Sequence, residues 1–165
     1  MTTPPFLPAS ALEALVDNGV RFVLIGGLAA RLHGSSSITD DVDICYARDR
    51  MNLEHLAAAL SSLHARLRGA PDDLPFRLDA LTIEAGDHFT FITDAGGLDI
   101  MATPAGSKGY DALAANASVM HLDLMSLQVA SIDDLIRMKR AAGRPKDLVE
   151  IEILGALRDE IENQP

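Results

Sequence analysis

The spacing of apolar and polar positions changes several times along the chain, and each change marks an element. Arg21 to Ile25 is a nearly continuous apolar run and reads as a buried strand. Asp41 to Tyr46 alternates acidic and apolar residues, the period-two pattern of a second strand. Leu53, Leu56, Leu60, Leu63 and Leu67 step by three and four, so a helix is expected from a cap at Asn52 to about Leu67. Ahead of the first strand, Ser10 is placed to cap a helix over Ala11–Asp17, closed by Asn18-Gly19. A short helix over Leu28–Leu32 should stop near Gly34.

Further on, Ala70–Leu74 reads as a loop and Asp79–Glu84 as a short helix. Strands are expected over Phe89–Ile92 and Gly97–Ala102, joined by an Asp94-Ala95-Gly96 turn. Tyr110–Ala115 reads as a helical turn, and Val119–Leu122 and Leu127–Ala130 as short strands. Ser131 with Asp134 resembles a capping box opening a helix to Ala142, which Gly143 ends. Pro145 opens a last helix to about Glu160. The order predicts an α/β (α+β) fold with a mixed sheet flanked by helices and a C-terminal helical pair, not a parallel doubly wound sheet. The 165 residues fit one domain, with a core over about 20–105 and the C-terminal helices over about 131–161.

Composition narrows the class. Apolar content of 48% and charged content of 23% are ordinary for a globular protein. No apolar run is long enough to cross a bilayer, so no membrane partner is expected. The start, MTTPPFLPAS, lacks the basic and apolar blocks of a secretory leader, which makes a cytoplasmic location the expectation. A single cysteine, Cys45, excludes an internal disulfide and a cysteine-based zinc site. The net charge of −10 argues against broad nucleic-acid binding. A local basic cluster stands out against it: Arg137, Lys139, Arg140, Arg144 and Lys146.

The chemistry concentrates in VLIGGLAARLHGSSSITDDVDICY, Val23 to Tyr46. On a strand Asp41 and Asp43 project to the same side, with Cα atoms about 6.5–7 Å apart. Carboxylates at that separation repel unless a cation lies between them. Hard oxygen ligands completed by substrate phosphates suit Mg²⁺, with Mn²⁺ as the alternative ion. Gly26 and Gly27, at a strand-to-helix turn, allow close approach of a phosphate, and the following helix offers free N–H groups to it. Ser36, within the Ser35–Ser37 run, and Thr39 are candidate hydroxyl donors to phosphate oxygens; a plain surface loop is the equal alternative. Taken singly, Gly-Gly is usually a turn and Asp-x-Asp a solvated edge; together in this order they point to a nucleotide site.

Ile132, Leu135 and Ile136 form an inward stripe that Lys139 continues, and an inward lysine needs an anion. Asp147 shares a face with Ile151 and Leu154. Two readings stand: a structural Lys139–Asp147 pair, or Lys139 on substrate phosphates with Asp147 positioning it. His33 is a candidate for base or phosphate contact or for a structural hydrogen bond. Cys45 reads as a small buried residue rather than a nucleophile, because no base accompanies it.

The strand, Gly26-Gly27, spacer and Asp41-Val42-Asp43 resemble the nucleotidyltransferase superfamily built on the DNA-polymerase-beta-like palm. Ala30, His33-Gly34 and Thr39 to Asp43 resemble its small bacterial branch, which includes abortive-infection-type toxins and aminoglycoside nucleotidyltransferases. That branch also carries a basic-then-acidic C-terminal signature, resembling KRAAGRPKDL here. The resemblance implies a third carboxylate on a neighbouring strand, for which Asp99 in GGLDIM is the candidate, as metal ligand or general base. It implies Mg²⁺-dependent transfer of a nucleoside monophosphate from a nucleoside triphosphate. The acceptor is an RNA 3′ end, a protein or a small-molecule hydroxyl. In the toxin setting a cognate antitoxin or regulator would be a partner. An idle nucleotide-binding or antitoxin-type protein is the main rival, and an Asp-x-Asp glycosyltransferase a weaker one, since it does not explain the glycine pair.

Overall fold

A computed structural model describes residues 3–165 of the chain. Met1 and Thr2, the first residues of the segment read for a leader, lie outside the described residues. The elements run α1 (Pro8–Asp17), β1 (Phe22–Ile25), α2 (Gly26–Leu32), β2 (Asp41–Tyr46), α3 (Arg50–Ser62), β3 (Arg66–Leu67) and α4 (Ala80–Ala85). They continue as β4 (His88–Thr93), β5 (Gly96–Met101), α5 (Tyr110–Asn116), β6 (Ser118–Leu122), β7 (Met125–Val129), α6 (Ile132–Ala142) and α7 (Pro145–Glu162).

The strands form one seven-stranded mixed sheet in the order β3-β4-β5-β2-β1-β7-β6. β2 pairs in parallel with β5 and β1 with β7; the other pairs are antiparallel. The expected mixed α/β architecture and C-terminal helical pair are therefore present. Leu24, Ile44 and Ile100 stand in one cross-strand row, and Val42, Leu98 and Phe91 in the next. All six are buried in the core that Leu12 and Leu15 of α1 and Leu53, Leu56 and Leu60 of α3 complete. Burial of a side chain of this size contributes about 1.5–3 kcal/mol, so this face fixes the register. The opposite face then carries Asp41, Asp43 and Asp99 by alternation alone.

Several boundaries differ from the sequence expectation. α1 begins at Pro8 without a side-chain cap, and Ser10 lies inside its first turn; proline suits a first turn because its missing N–H would have no helical partner. α2 starts at Gly26 itself, whose φ of +71° turns the chain directly from strand into helix. α3 is capped by Asp49, which accepts the Asn52 N–H at 3.0 Å. Asn52 is instead buried, with its amide bonded to Arg21 and Ala47 backbone atoms. The leucine stripe outlasts its helix: α3 ends at Ser62, and Leu67 belongs to the two-residue strand β3, which has no period to reveal it. Ser131 caps α6, but the Asp134 carboxylate turns to Arg137 and Asn116 and leaves the capping box half-made. Gly143, at φ +65°, closes that helix as expected.

Candidate active site

Register assembles the site. Asp43 on β2 stands opposite Asp99 on β5, and Asp41 opposite Gly97. Asp99 stands in turn opposite Thr90 on β4. The carboxylates of Asp41, Asp43 and Asp99 line one cavity of about 780 Å³, together with Gly26, Gly27, Thr39, Lys139 and Asp147. Its size suits a small-molecule ligand pocket.

The glycines hold the carboxylates as much as they open the backbone. A Cβ on Gly26 would lie 2.1 Å from Asp43 Oδ2, and one on Gly97 would lie 1.9 Å from Asp41 Oδ1. Gly27 faces Thr39 in the same way, with a Cβ-to-Cβ distance of 2.8 Å. Thr39 Oγ donates to the Asp41 carbonyl at 3.1 Å, which orders the entry to β2.

Burial, and the Asp99 and Asp41 carboxylates beside it, push the Asp43 carboxyl up to about 8, against a smaller pull from Lys139. Asp99 is also raised, chiefly by burial, with Asp41 adding to the effect. Asp99 Oδ1 is buried and has no hydrogen-bond partner among the described residues. The Asp41 carboxylate accepts from Arg68 Nη2 at 2.7 Å. Burial pushes the Cys45 thiol up to about 12, and its Sγ lies 3.4 Å from the Ala102 carbonyl, so it is a packed thiol and not a nucleophile.

The facing wall comes from α6 and α7, which pack as a pair. Lys139 Nζ lies 3.9 Å from Asp147 Oδ1, with its side chain 16% exposed. Asp147 is committed more closely to Arg144: Oδ2 accepts from Nε at 2.8 Å and from the backbone N–H at 3.1 Å, and Oδ1 accepts from Nη2 at 3.1 Å. That guanidinium holds the Asp147 carboxyl below its ordinary range. Lys139 thus sits at the edge of this pair with donors free to turn to another anion. Arg144 and Lys146 line the same cavity.

The remaining candidates divide. Ser36 is exposed and does not line the cavity, whereas Ser37 and Thr39 do. His33 Nε2 lies 2.8 Å from the Ala130 carbonyl, a structural tie between α2 and the end of β7. Two residues at the site escaped the sequence reading. Arg68 follows a strand too short to show a pattern. Glu150, which is buried, accepts from Ser35 Oγ at 3.0 Å and also from Ser37 Oγ. Its signal was available: Asp147, Glu150 and Leu154 keep the i, i+3, i+7 spacing of one helix face.

The donor set fits a hard divalent cation. Asp43 and Asp99 are raised chiefly by burial, with neighbouring carboxylates adding to it, and Asp99 keeps an unpartnered buried oxygen; a cation between them would relieve both conditions. Among the described residues no three His, Cys, Asp or Glu side chains are already drawn together as a metal-ligand set, in keeping with Asp41 being turned to Arg68. Among the described residues no helix is long and apolar enough to cross a membrane.

No protein-family model matches the chain, and no curated protein matches it in sequence. Solved structures do resemble it. The lincomycin-bound crystal structure of the lincosamide antibiotic adenylyltransferase LnuA superposes with a TM-score of 0.62 at 14% identity, over 93% of this chain and 99% of that one. ANT(2")-Ia in complex with adenylyl-2"-tobramycin gives 0.55 at 17% identity, over 93% of this chain and 94% of that one. At such identities the likeness concerns the backbone, and it agrees with the strand–Gly-Gly–helix–Asp-x-Asp order read from the sequence. The chain shares the fold of these adenylyltransferase structures.

Proposed function

We propose that the chain is a Mg²⁺-dependent nucleotidyltransferase that moves a nucleoside monophosphate from a triphosphate to the hydroxyl of a small molecule, and that residues 1–165 act as one domain. The observation that carries this reading is the register of Asp41, Asp43 and Asp99 on adjacent strands of one cavity, beside Gly26-Gly27. ATP is the first nucleotide to test, because the similar structures include proteins named as adenylyltransferase and as bound to an adenylyl product.

In this reading Asp41, Asp43 and Asp99 would hold the metal, which when bound neutralises phosphate charge and lowers the acceptor hydroxyl's pKa. Lys139, with Arg144 and Lys146 nearby, takes the triphosphate oxygens, and Asp147 keeps Arg144 and Lys139 in place. The α2 N-terminus at Gly26-Gly27 completes the phosphate cradle, and Thr39 would join it by turning its hydroxyl from the Asp41 carbonyl to a phosphate oxygen. The acceptor oxygen bonds the α-phosphorus while the bond to the β-phosphate oxygen breaks. Pyrophosphate leaves with that electron pair, and Asp99, on the strand beside Asp43, receives the hydroxyl proton. The contribution of the protein is positioning and charge neutralisation. A small acceptor fits the cavity and the net charge of −10 better than a long RNA, whose phosphates that charge would repel.

Asp43→Asn should lower transfer, followed as pyrophosphate release, by about 100-fold or more while circular dichroism stays unchanged. A folded variant with wild-type turnover would remove the mechanism.

A further inference from the structure

Beyond the carboxylate cavity, the same face of the sheet runs on across β4 to β3. On the carboxylate-bearing face, Thr90 stands beside Asp99, and the Arg68 N–H donates to the Thr90 carbonyl at 2.9 Å. In the adjacent row Arg66 stands opposite Ile92, and Ile92 opposite Gly97. Arg66 and Arg68 therefore share the catalytic face, at the β3 edge. Behind them lies a second cavity of about 420 Å³, with Ile92, Phe76, Leu78 and Leu74 as apolar lining and Arg66, Arg68 and Asp72 as its charged groups. Arg68 joins the two spaces: it lines the outer one and its guanidinium bonds Asp41 in the inner one.

The strand order divides the site. β1 and β7 lie on one side of the carboxylates; β4 and β3 lie on the other. The cations suited to a triphosphate, Lys139, Arg144 and Lys146, come from α6 and α7. In-line displacement needs the attacking oxygen opposite the leaving pyrophosphate. The acceptor then approaches over β4 and β3, past Asp99 and Thr90. There it meets Arg66, which enters no ion pair among the described residues. A guanidinium edging an apolar hollow suits a carboxylate on an apolar body. Asp72 at the same hollow disfavours a dianion.

We infer that the β3-edge cavity is the acceptor site, and that it selects a small hydroxylated molecule with an apolar body and a carboxylate bound by Arg66. The reacting hydroxyl lies at Asp99 and the carboxylate at β3, two strand spacings or about 10 Å away. The inference rests on the nucleotidyltransferase reading for the step itself, but carboxylate binding can be measured apart from it.

The test uses the full chain and three molecules of one length: ω-hydroxyoctanoate, octanediol and ω-aminooctanol. Binding is measured by calorimetry, and transfer by pyrophosphate release with Mg²⁺ and ATP. The hydroxy acid should bind at least about 10-fold more tightly than the diol, and the amino alcohol most weakly. Arg66→Ala should erase the preference and Arg66→Glu reverse it, with ATP affinity unchanged in both. Equal affinities in the wild type, a preference for the amino alcohol, or an order that survives Arg66→Glu would overturn the inference. Carboxylate binding through Arg66 without transfer to any acceptor would instead refute the nucleotidyltransferase reading alone.

Discussion

Gly26 is the residue on which the site turns. Its φ of +71° lies in the left-handed region, and a side chain there would meet Asp43 at once. The conformation alone makes an alanine cost about 1–2 kcal/mol. The collision adds a second effect that bears on activity beyond stability, because Asp43 must leave its place opposite Asp99. Gly26→Ala should therefore lower stability in urea by about 1–2 kcal/mol, yet lower transfer far more than the unfolded fraction explains. Near-normal turnover in a folded Gly26→Ala protein would show that Asp43 tolerates displacement. The glycine pair was legible in the sequence as a phosphate cradle. Its second task, making room for a carboxylate from the next strand, was not, because it depends on how β1 and β2 pair.

Among the elements, α7 ties the site together through a buried carboxylate. Glu150 reaches from the helix to Ser35 and Ser37, in the segment that leads into β2. Glu150→Ala would strand buried hydroxyls, at a cost of about 1–3 kcal/mol, whereas Glu150→Gln keeps an acceptor and should lose less. Urea unfolding of the two variants measures the difference, and equal losses would mean that the carboxylate only fills space. Elements with a strong local signal were the legible ones: β2, alternating from Asp41 to Tyr46, matches in both ends, and α6 matches from its Ser131 cap to Gly143. Pairing partners were hidden. Asp99 was reachable because its strand shows an apolar face, but nothing near Arg68 in the sequence says that β3 exists or that it borders the site. Asn52 reads as a helix cap by type, and a better cap three residues earlier left it free to bridge Arg21 and Ala47.

At the scale of the whole molecule the sheet stores an electrostatic cost in its centre. Asp43 keeps its proton up to about 8 in the folded chain, against an ordinary value of 3.8, chiefly because it is buried. Below the ordinary value both folded and unfolded states hold this proton, and it does not affect stability. Between about 4 and 8 the unfolded chain has released it and the folded chain has not, so the folded state binds more protons and stability falls as pH rises. Asp147 works in the opposite sense: its carboxyl is held low by Arg144, so its contribution is present above the ordinary value and is lost only in acid. The falling slope toward pH 8 therefore belongs to the Asp43–Asp99 pair. In chelator-treated protein, Asp43→Asn should flatten that slope and raise stability at pH 8 by about 1–2 kcal/mol, in the same variant that is expected to lower transfer. Added Mg²⁺ should stabilise the wild type at pH 8 more than the variant, because only the wild type has the full carboxylate set to bind it. Thermal unfolding across this pH range with and without Mg²⁺ decides the matter. A wild-type curve that rises toward pH 8 without metal, or a variant stabilised equally by Mg²⁺, would mean that these carboxylates were not gathered for a cation.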